Sequence, residues 1–456
     1  MKHSILYLFN IVFYLFTSFP VFAQNRQDAY SLDDYCSVSC KDIASIINRL
    51  LQSGDVYIPS GKWKINSKIK LPNGRSIIGS GIKTIIYSEE PIRMVEVAGD
   101  ENEIKNICFQ GANNTDKASY IVYKCRGTKR LLVENCSFEG ATGGIFIEPL
   151  CDSIDVYGCN FSKMYPCKQR ISSGYGIVFH HDDKKPERGT FCANIERCIF
   201  DETVFRHSIY LQSSENVAVR NNVFYGLNEK KTTECEYQIE IRGCRNLIFE
   251  GNISRGGYGF INGIESKYHG RGSNFVIRKN YFIDNIDSDG KKGILNIKFH
   301  NVLIQNNAFL NYNTLCVYIA SVDGTIIDNN QFESRDAEVY PVIQLKGKDI
   351  ESLTITNNTF SRRTDTQIAA VLIQSSKVNT IIVCGNTILG GSTGIEIKKT
   401  IIDSLTINDN YHNGLLCDYS GNTILKSITY NNNHAIRHPE IKVKDDIIYE
   451  KTNNSN

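Results

Sequence analysis

One short motif recurs along most of the chain and constrains its fold more than any other feature. It reads Cys-x-Phe in the early copies and Asn-Asn-x-Phe in several later ones, and the copies align without gaps. Most copies are 23 to 30 residues apart. A period of this length predicts a solenoid, in which each unit buries its apolar side against its neighbours. The Cys or Asn of each copy falls at Cys136, Cys159, Cys198, Asn222, Asn252, Asn280, Asn307, Asn330, Asn358, Asn386 and Asn410, with a degraded copy at Asn433 and an early one around Phe109.

Each copy predicts one coil of a β-solenoid. A short strand of alternating apolar and polar residues precedes the Cys or Asn, a turn follows, and the Phe points inwards before a second apolar strand. Stacked Asn side chains can hydrogen-bond from coil to coil and satisfy the turns. We therefore predict an all-β, single-domain, right-handed parallel β-helix with an axis of roughly 60 Å. Leucine-rich repeats and β-propellers fit less well, because their Leu-rich and Trp-Asp signals are missing from the sequence.

The start of the chain differs in composition from the repeats. Residues 1–23 combine a basic start, an apolar run and small residues before a cleavage point after Ala23, which predicts a secretory signal peptide. The apolar run is shorter than the roughly 20 residues of a membrane span. We expect a secreted or periplasmic protein with no membrane span once the signal is removed.

The remaining chain is divided by the same patterns. Residues 24–56 should form an N-terminal segment, in which Lys41–Ser53 has apolar residues at helical spacing and closes the first coil as a short capping helix. Residues 57–435 should form the parallel β-helix. Residues 436–456 are polar and charged, and we expect a loose C-terminal tail.

The cysteines and the charge narrow the chemistry. The chain has 15 cysteines, an odd number, so at least one thiol lacks a partner in the chain. Three of them share one repeat position, Cys136, Cys159 and Cys198, which predicts a buried packing column. Cys36 and Cys40 are the best candidates for a disulfide. The formal net charge of +2 gives no reason to expect a nucleic acid partner, so a charged ligand would need a local cluster.

The first coils resemble the pectate-lyase-like right-handed β-helix superfamily. An amphipathic helical segment is followed by an apolar strand with Pro59-Ser60-Gly61, and then by a strand that ends in Gly79-Ser80-Gly81. The resemblance covers most of the chain after the signal. It implies a functional groove along one strand face.

The second strand of each coil carries the most informative local pattern. When six of these strands are aligned on an inward Ile, alternation turns their second and fourth residues outward. The first outward column then reads Phe146, Val178, Tyr210, Glu240, Glu265 and Leu295, and the second reads Glu148, His180, Gln212, Arg242, Lys267 and Ile297. Further polar residues flank this face, namely Arg206, His207, His181, His269, Arg271 and Lys298.

These side chains fit β-elimination on a uronic-acid polysaccharide. The reaction needs positive charge to neutralise the substrate carboxylate and a base near the C5 proton, and Lys267, Arg242 and His207 would supply both. Glu240 and Glu265 would orient the base or hold a calcium ion. Substrate binding would fall to His180, His181, Arg206, Tyr210, Gln212, His269, Arg271 and Lys298, and the Tyr hydroxyl could return a proton to the leaving oxygen.

A second resemblance bears on the same residues. The segment from Gly263 to Phe282, and the next coil, are similar to the coils of chondroitinase B and its alginate lyase relatives. This similarity implies that Lys267 is the base and that Lys298 stands in the place of an arginine. Phe260 and Asn262 occupy the positions where those enzymes have acidic metal ligands, so the identity of any metal stays open.

Two other functions fit the same pattern. Glu240 and Glu265, on adjacent predicted coils, would be about 5 Å apart and could be the paired carboxylates of a glycoside hydrolase. A non-catalytic adhesin or glycan-binding solenoid would carry shallow ladders along its length rather than one cluster. Because Arg, Lys and His outnumber Glu on this face, we predict a lyase that acts as a monomer on an acidic polysaccharide, with no nucleic acid partner.

Overall fold

The computed structural model shows the predicted coils stacked into a parallel β-helix with three faces, A, B and C. The structure describes residues 29–114, 116–168, 173–182, 185–226, 237–285, 293–320, 323–335, 340–347, 350–363, 366–375, 377–420, 423–437 and 448–450. The predicted signal peptide and most of the predicted tail lie outside these residues.

Face A is a sheet of 18 strands, and in the repeats it holds the strand that precedes the Cys or Asn. Its strands are Ala29–Ser31, Asp55–Ile58, Ser76–Gly79, Asn102–Lys105, Lys129–Glu134, Asp152–Tyr157, Ala193–Glu196, Glu215–Arg220, Arg245–Glu250, Ser273–Arg278, His300–Gln305, Thr325–Asp328, Ile350–Thr356, Lys377–Cys384, Ile401–Asn408, Ile424–Leu425, Ser427–Asn431 and Ile448–Glu450.

Faces B and C together form a sheet of 28 strands, joined through the long strand Tyr411–Ser420. Face B begins just after the Cys or Asn, and its strands are Gly61–Lys64, Thr84–Tyr87, Cys108–Gln110, Ser137–Ala141, Asn160–Met164, Ile199–Phe200, Val223–Tyr225, Ile253–Arg255, Tyr281–Ile283, Ala308–Tyr312, Gln331–Ser334, Thr359–Ser361, Thr387–Leu389, Tyr411–Ser420 and His434–Arg437. Face C contains Ile69–Leu71, Val95–Val97, Tyr120–Lys124, Gly143–Ile147, Tyr175–Phe179, Ile209–Gln212, Tyr237–Arg242, Gly259–Ile264, Leu295–Ile297, Val317–Ile319, Ile343–Gly347, Val371–Ser375 and Thr393–Lys398.

The first coil of the solenoid is capped by a helix, and the last coils are extended by a further strand. Helix α1, Ala44–Leu50, confirms the predicted capping helix in shorter form and buries Ala44, Ile47 and Leu50. A 3₁₀ turn, Leu32–Asp34, precedes it. The strand before that turn pairs with Asp55–Ile58, so face A begins ahead of residue 57. Ile448–Glu450 pairs with the last long strand of face A, so the predicted tail contributes a strand.

The Asn column forms the predicted hydrogen-bonded ladder. From Asn252 to Asn433, each Oδ1 atom accepts from the backbone N–H and from Nδ2 of the Asn one coil earlier, at 2.9–3.0 Å. The residue before the ladder position has a positive φ, such as 51° at Asn329 and 66° at Gly251. Asn and Gly tolerate this left-handed conformation better than other residues. The first Asn of the motif therefore makes the turn, and the second makes the ladder.

The Phe residues of the motif stack inside the core, with centroids 5.0 Å apart for Phe138 and Phe161. The column is interrupted at Ser254, which pairs with Phe224 and Phe282 in the neighbouring coils. Phe260 fills the gap from face C, with its ring centroid 5.2 and 5.3 Å from those two rings. The core thus keeps an aromatic ring in this layer although the motif has lost its Phe.

The cysteine column is confirmed as a packing element. Cys136, Cys159 and Cys198 are buried free thiols that continue the Asn column toward the N-terminus. Cys36 and Cys40 are also free thiols, so the predicted disulfide is not formed. Burial, together with the neighbouring Cys40, raises the pKa of Cys36 to about 11.

Candidate functional site

A bend at the start of face C creates the surface on which the candidate site lies. In several coils two consecutive residues, such as Phe260 and Ile261, are both fully buried, so strict alternation fails there. The residue just before this buried pair and the residue just after it both point outwards. Three outward columns result. Column 1 is Tyr120, Gly143, Tyr175, His207, Tyr237 and Gly259; column 2 is Tyr123, Phe146, Val178, Tyr210, Glu240, Asn262 and Asn296; column 3 is Glu148, His180, Gln212, Arg242 and Ile264.

The predicted alignment of face C is confirmed for four coils and wrong for the fifth. Ile239 pairs with Ile261 rather than Ile264, so Glu240 lies beside Asn262 and Arg242 beside Ile264. The physical reason is an inward glycine. A Cβ atom on Gly263 would lie 2.2 Å from Cζ of the buried Phe299. Glycine leaves room for that ring, which holds the strand with residue 263 inward.

The sixth coil differs from its prediction by one residue. Leu295, not Ile294, pairs with Ile261, and both Ile294 and Leu295 are fully buried as the two inward residues of the bend. Leu295 and Ile297 therefore belong to the core instead of the outer surface. Asn296 takes the outward position, and its Nδ2 donates to Oδ1 of Asn262 at 2.7 Å.

Three of the predicted catalytic residues form a largely buried ionic network at the middle of face C. Glu240 is 7% exposed. Its Oε1 atom accepts from Nε and Nη2 of Arg242 at 2.9 and 2.7 Å. Its Oε2 atom lies 3.3 Å from Nε2 of His207. The other ring nitrogen of His207, Nδ1, lies 2.7 Å from the carbonyl oxygen of Tyr237. The network therefore joins columns 1, 2 and 3 across two coils.

The hydrogen bonds define the charges in this network. Burial alone would raise the pKa of Glu240, but hydrogen bonds and charges from His207 and Arg242 outweigh it and lower the pKa to about 2. Glu240 is therefore an ionised acceptor. Because the Tyr237 carbonyl can only accept, both ring nitrogens of His207 face acceptor oxygen atoms. The Arg242 guanidinium supplies the permanent positive charge of the network, and the Glu240 carboxylate supplies its negative charge.

Aromatic rings frame the network on its N-terminal side. The ring of Tyr175 stacks 5.8 Å from His207 and 5.5 Å from Tyr210. The guanidinium of Arg242 lies 5.5 Å from the Tyr210 ring, and that of Arg206 lies 5.5 Å from the Tyr175 ring. Burial raises the pKa of Tyr175, so its hydroxyl stays protonated. Of the predicted residues, Tyr210 thus contacts the network through Arg242 and His207, and Arg206 contacts the adjoining Tyr175 ring.

The tautomer of His180 is fixed by Gln212. Oε1 of Gln212 accepts the backbone N–H of His181 at 3.1 Å and lies 3.2 Å from Nδ1 of His180. Because this oxygen can only accept, Nδ1 of His180 carries the hydrogen, and in the neutral ring Nε2 holds the lone pair. His180 is half-buried and lies two coils from Arg242 in column 3. Gln212 therefore orients a proton acceptor on the same face as the ionic network.

A chain segment, residues 185–191, forms a wall beside column 3. It belongs to the coil between those of Leu150 and Ser213, and Glu187 and Arg188 reach coils further away. In coil order these contacts are Arg126 to the Glu187 carboxylate at 2.6 Å, the Leu150 N–H to the Gly189 carbonyl at 3.0 Å, the Gly189 N–H to the Ser213 carbonyl at 3.0 Å, and Arg188 to the Gly243 carbonyl at 3.4 Å. The wall spans the coils of the ionic network and the aromatic rings.

Two predicted substrate-binding histidines contact this wall. Nε2 of His181 lies 2.5 Å, and Nε2 of His269 lies 3.0 Å, from the carbonyl oxygen of Glu187. Their rings are 5.2 Å apart. Burial, opposed by the hydrogen bond to Glu187, lowers the pKa of His269. Both side chains fasten the wall to the solenoid.

The remaining predicted residues, Glu265, Lys267, Arg271 and Lys298, lie in the coils that follow that of Glu240. Ser266 and Gly270 bridge antiparallel in a tight hairpin, and Arg271 Nε donates to Glu265 Oε1 at 2.6 Å beside it. Lys267 is exposed in the hairpin turn, outside the strand that pairs with the Arg242 strand. The predicted pairs Glu240–Glu265 and Arg242–Lys267 are therefore wrong, because both expected partners follow the end of the strand. The half-buried Lys298 directly follows the Leu295–Ile297 strand.

The structure does not assemble the calcium site that the sequence allowed. Its two expected ligands, Glu240 and Glu265, are not on adjacent positions. Glu240 is instead bonded to Arg242 and His207. Within the described ranges no group of three or more His, Cys, Asp or Glu side chains is placed to hold a metal ion.

Sequence reasoning missed the members of column 1 other than His207, and the two amides of column 2. Tyr175 and Tyr237 precede the aligned Ile by two residues, where simple alternation places a buried side chain. The sequence does contain a signal for column 1, because Tyr and Gly alternate at this position from coil to coil. The alternating residues are Tyr120, Gly143 and Tyr175, and then Tyr237 and Gly259. A Cβ atom on Gly143 would lie 2.3 Å from the Tyr120 ring, and one on Gly259 would lie 2.4 Å from the Tyr237 ring.

Comparison with known proteins agrees with this architecture. Residues 144–332 match a family model described as a right handed beta helix region. No curated protein sequence matches the chain. The chain is therefore a right-handed parallel β-helix protein, as its repeat predicted.

Solved structures with the same fold include enzymes that act on carbohydrates. A DFA-IIIase from Arthrobacter chlorophenolicus A6, in complex with GF2, is 14% identical with a TM-score of 0.54, over 79% of this chain and 94% of that chain. The catalytic unit of a GH87 α-1,3-glucanase from Streptomyces thermodiastaticus is 11% identical with a TM-score of 0.51, over 92% of this chain and 70% of that chain. The pre-mature gene product 12 of bacteriophage phi29 is 13% identical with a TM-score of 0.50, over 90% of this chain and 72% of that chain. At these identities the likeness establishes the fold, and this is a fold that carbohydrate-active enzymes use. Among the described residues no helix is long and apolar enough to cross a membrane.

Proposed function

We propose that the protein is a secreted polysaccharide lyase that cleaves a uronic-acid-containing glycan by β-elimination. The observation that carries the proposal is the network of His207, Glu240 and Arg242, which holds the half-buried Arg242 guanidinium between the aromatic rings and the wall. A polyanionic substrate needs such charge, and it is worth more in a groove partly shielded from water. Enzymes with this fold act on carbohydrates, which supports the substrate class.

Arg242 is the group that meets the substrate carboxylate in this proposal. Nε and Nη2 of its guanidinium donate to Oε1 of Glu240. Glu240 is a positioning residue, because its ionised carboxylate fixes the orientation of Arg242. Arg206 adds a second positive charge nearby. Pairing of the carboxylate with these cations acidifies the C5 proton, since it stabilises the carbanion-like transition state.

Proton transfer requires a base and an acid on either side of the scissile bond. Nε2 of His180 takes the C5 proton, the C–H electrons form the C4=C5 double bond, and the C4–O4 bond breaks. The Tyr210 hydroxyl gives its proton to the leaving oxygen. His207 contacts Glu240 and the Tyr237 carbonyl with its two ring nitrogens, so we assign it a positioning role. Lys267, the base implied by resemblance, is exposed in the hairpin turn, and we assign the role to His180 instead.

The second candidate, glycoside hydrolysis, draws less support from the geometry. The neighbours of Glu240 along column 2 are Tyr210 and Asn262, neither of which is a carboxylate. A carboxyl group with a pKa of about 2 is also a poor general acid. The proposal therefore favours elimination over hydrolysis.

The test is incubation of the purified protein with a panel of uronate polysaccharides. We expect a new ultraviolet absorbance from the C4=C5 double bond, lost in His180→Ala and Arg242→Ala. Arg255→Ala, an exposed arginine on face B, is the matched control and should retain full activity. Reducing ends without new absorbance would move the protein to the hydrolases. Saccharide binding without any product would identify a glycan-binding protein.

A further inference from the structure

We infer that Gln212 is a catalytic residue, whose Nε2 atom donates to the substrate carboxylate beside the base His180. Gln212 and Arg242 then neutralise the carboxylate between them, in the place of a metal ion. The inference rests on the proposed function and adds to it the group that holds the carboxylate next to the C5 proton. The sequence alone predicts Gln212 only as one of several substrate-binding residues.

The hydrogen bonds of the Gln212 side chain fix which end of its amide is the donor. Oε1 accepts from the backbone N–H of His181 at 3.1 Å and lies 3.2 Å from Nδ1 of His180. A backbone N–H can only donate, so the atom beside it is the oxygen and the other end of the amide is Nε2. Within the described part of the chain no protein atom accepts from Nε2, which keeps some contact with solvent although Gln212 is only 6% exposed. Its two N–H donors therefore remain for a ligand.

Column 3 places Gln212 between the proposed base and the cation. His180, Gln212 and Arg242 follow one another on three consecutive coils, which are about 4.8 Å apart. Oε1 of Gln212 is engaged by the coil of His180, and the Arg242 guanidinium lies 5.5 Å from the ring of Tyr210 in the coil of Gln212. The Gln212 side chain therefore separates the imidazole from the guanidinium, and its Nε2 is the donor in that interval.

The proposed elimination needs a donor at this place. C5 of a uronate carries both the proton that is removed and the carboxylate. A base on the coil of His180 therefore brings the carboxylate beside Gln212, one coil away, and within reach of Arg242, two coils away. When the C–H bond breaks, negative charge moves onto the carboxylate oxygens, and donors fixed there bind the transition state more tightly than the ground state. One donor of this kind contributes about 10²–10³-fold in kcat.

The residues present do not fit the metal that the second resemblance implies. Asn262 stands where those enzymes have an acidic ligand, and its Oδ1 accepts from Asn296 at 2.7 Å. Glu240 is bonded to Arg242. Across the ranges that the structure describes, no three His, Cys, Asp or Glu side chains are placed to hold an ion. An amide and a guanidinium, in contrast, both donate to a carboxylate, and Gln212 and Arg242 supply these two groups.

Two substitutions separate the donor role of Gln212 from its contacts with His180 and His181. Gln212→Glu keeps an oxygen that accepts from both histidines but has no N–H donor. Gln212→Met keeps the approximate volume and adds no charge, and it also lacks the donor. We expect each variant to lower kcat of uronate elimination about 100-fold, more than it changes KM. The loss of the N–H donors is the one change that the two variants share.

The matched control is Gln331→Glu, which makes the same substitution at an exposed amide on face B and should leave kcat unchanged. Melting temperatures check that the variants fold. The kinetics are repeated in excess chelator, where the unmodified protein should keep its full rate, and added calcium should not raise it. In the His180→Ala background, calorimetry compares a uronate oligosaccharide with its carboxyl-reduced form. Gln212→Glu should weaken binding of the acid about 10-fold and leave the reduced form unchanged.

The outcomes separate this inference from the proposed function. The inference is wrong, although a lyase reaction is observed, if either Gln212 variant keeps kcat within about 3-fold of the unmodified protein. It is also wrong if chelation stops the reaction and calcium restores it, or if Gln212→Glu weakens both oligosaccharides equally. If the unmodified protein forms no unsaturated product from any uronate glycan, the proposed function itself is wrong.

Discussion

Replacement of Glu240 by Gln tests whether the ionic network is assembled as described. Gln keeps the size of the side chain but removes the negative charge between Arg242 and His207. The pKa of Glu240 is lowered from 4.5 to about 2, and a tenfold change in an acid dissociation constant corresponds to about 1.4 kcal/mol. The ionised carboxylate therefore stabilises the folded protein by roughly 3 kcal/mol at pH 6.

The pH dependence gives this prediction its sign. A lowered folded-state pKa means that the stabilisation is complete above the unfolded-state value of 4.5 and is lost as the pH falls toward about 2. The difference in unfolding free energy between the unmodified protein and Glu240→Gln should therefore shrink by about 2 kcal/mol between pH 6 and pH 3. Other carboxylates titrate in this range, but they contribute equally to both proteins and cancel in the difference.

The measurement is denaturant unfolding of both proteins at several pH values, with hydrogen exchange of face C amides as a local readout where the solenoid does not unfold in one step. Glu265→Gln is the control. Its carboxylate is bonded to Arg271 but is 53% exposed, so the change should cost at most about 1 kcal/mol. A difference between Glu240→Gln and the unmodified protein that stays constant from pH 6 to pH 3 would show that the Glu240 network does not carry the charges assigned to it.

Two structural predictions concern the core. Asn307→Ala removes the acceptor of the Asn280 N–H and Nδ2 groups and leaves buried donors unpaired, so we expect a loss of about 3–5 kcal/mol in unfolding free energy, and faster exchange of the Asn280 amide by hydrogen-exchange mass spectrometry. An unchanged stability would contradict the ladder. Gly263→Ala places a methyl group within 2.2 Å of the Phe299 ring, so we expect a lower melting temperature, restored in part by Phe299→Leu. Equal melting temperatures for the variant and the unmodified protein would contradict the register of that coil.

The repeat was sufficient to predict the fold because its residues make the contacts that define a coil. The ladder position is the same in every coil, and its Asn side chain bonds to its equivalents one coil away. Such a pattern can be recognised from spacing alone, since each contact repeats with the period of the sequence. The exchange of Phe between Ser254 and Phe260 was not predictable in this way. It depends on two different faces meeting in the core.

The site was predicted only as far as the alignment of face C was correct. Ile239 and its three preceding partners follow the regular pattern, which brought Glu240, Arg242 and His207 to one surface. The next strand was misaligned because Ile264-Glu265-Ser266-Lys267 looks like Ile239-Glu240-Ile241-Arg242. Distance from the ladder residue could not correct this choice, because the aligned Ile follows that residue by nine residues in the coil of Cys136 and by eighteen in the coil of Cys159.

The bend in face C explains why the chemistry concentrates in one part of the solenoid. In column 1, Tyr120 lies over Gly143 of the next coil, and Tyr237 lies over Gly259 of the next coil. Between them, Tyr175, His207 and Tyr237 follow one another without a glycine, so three large side chains crowd the outer surface. His207 can then bond across to the next coil, to Glu240 and to the Tyr237 carbonyl, since the bend turns columns 1 and 2 outward together. The network thus lies beside the Tyr175 and Tyr210 rings on one crowded outer surface, and this arrangement supports the proposal that an anionic ligand binds there.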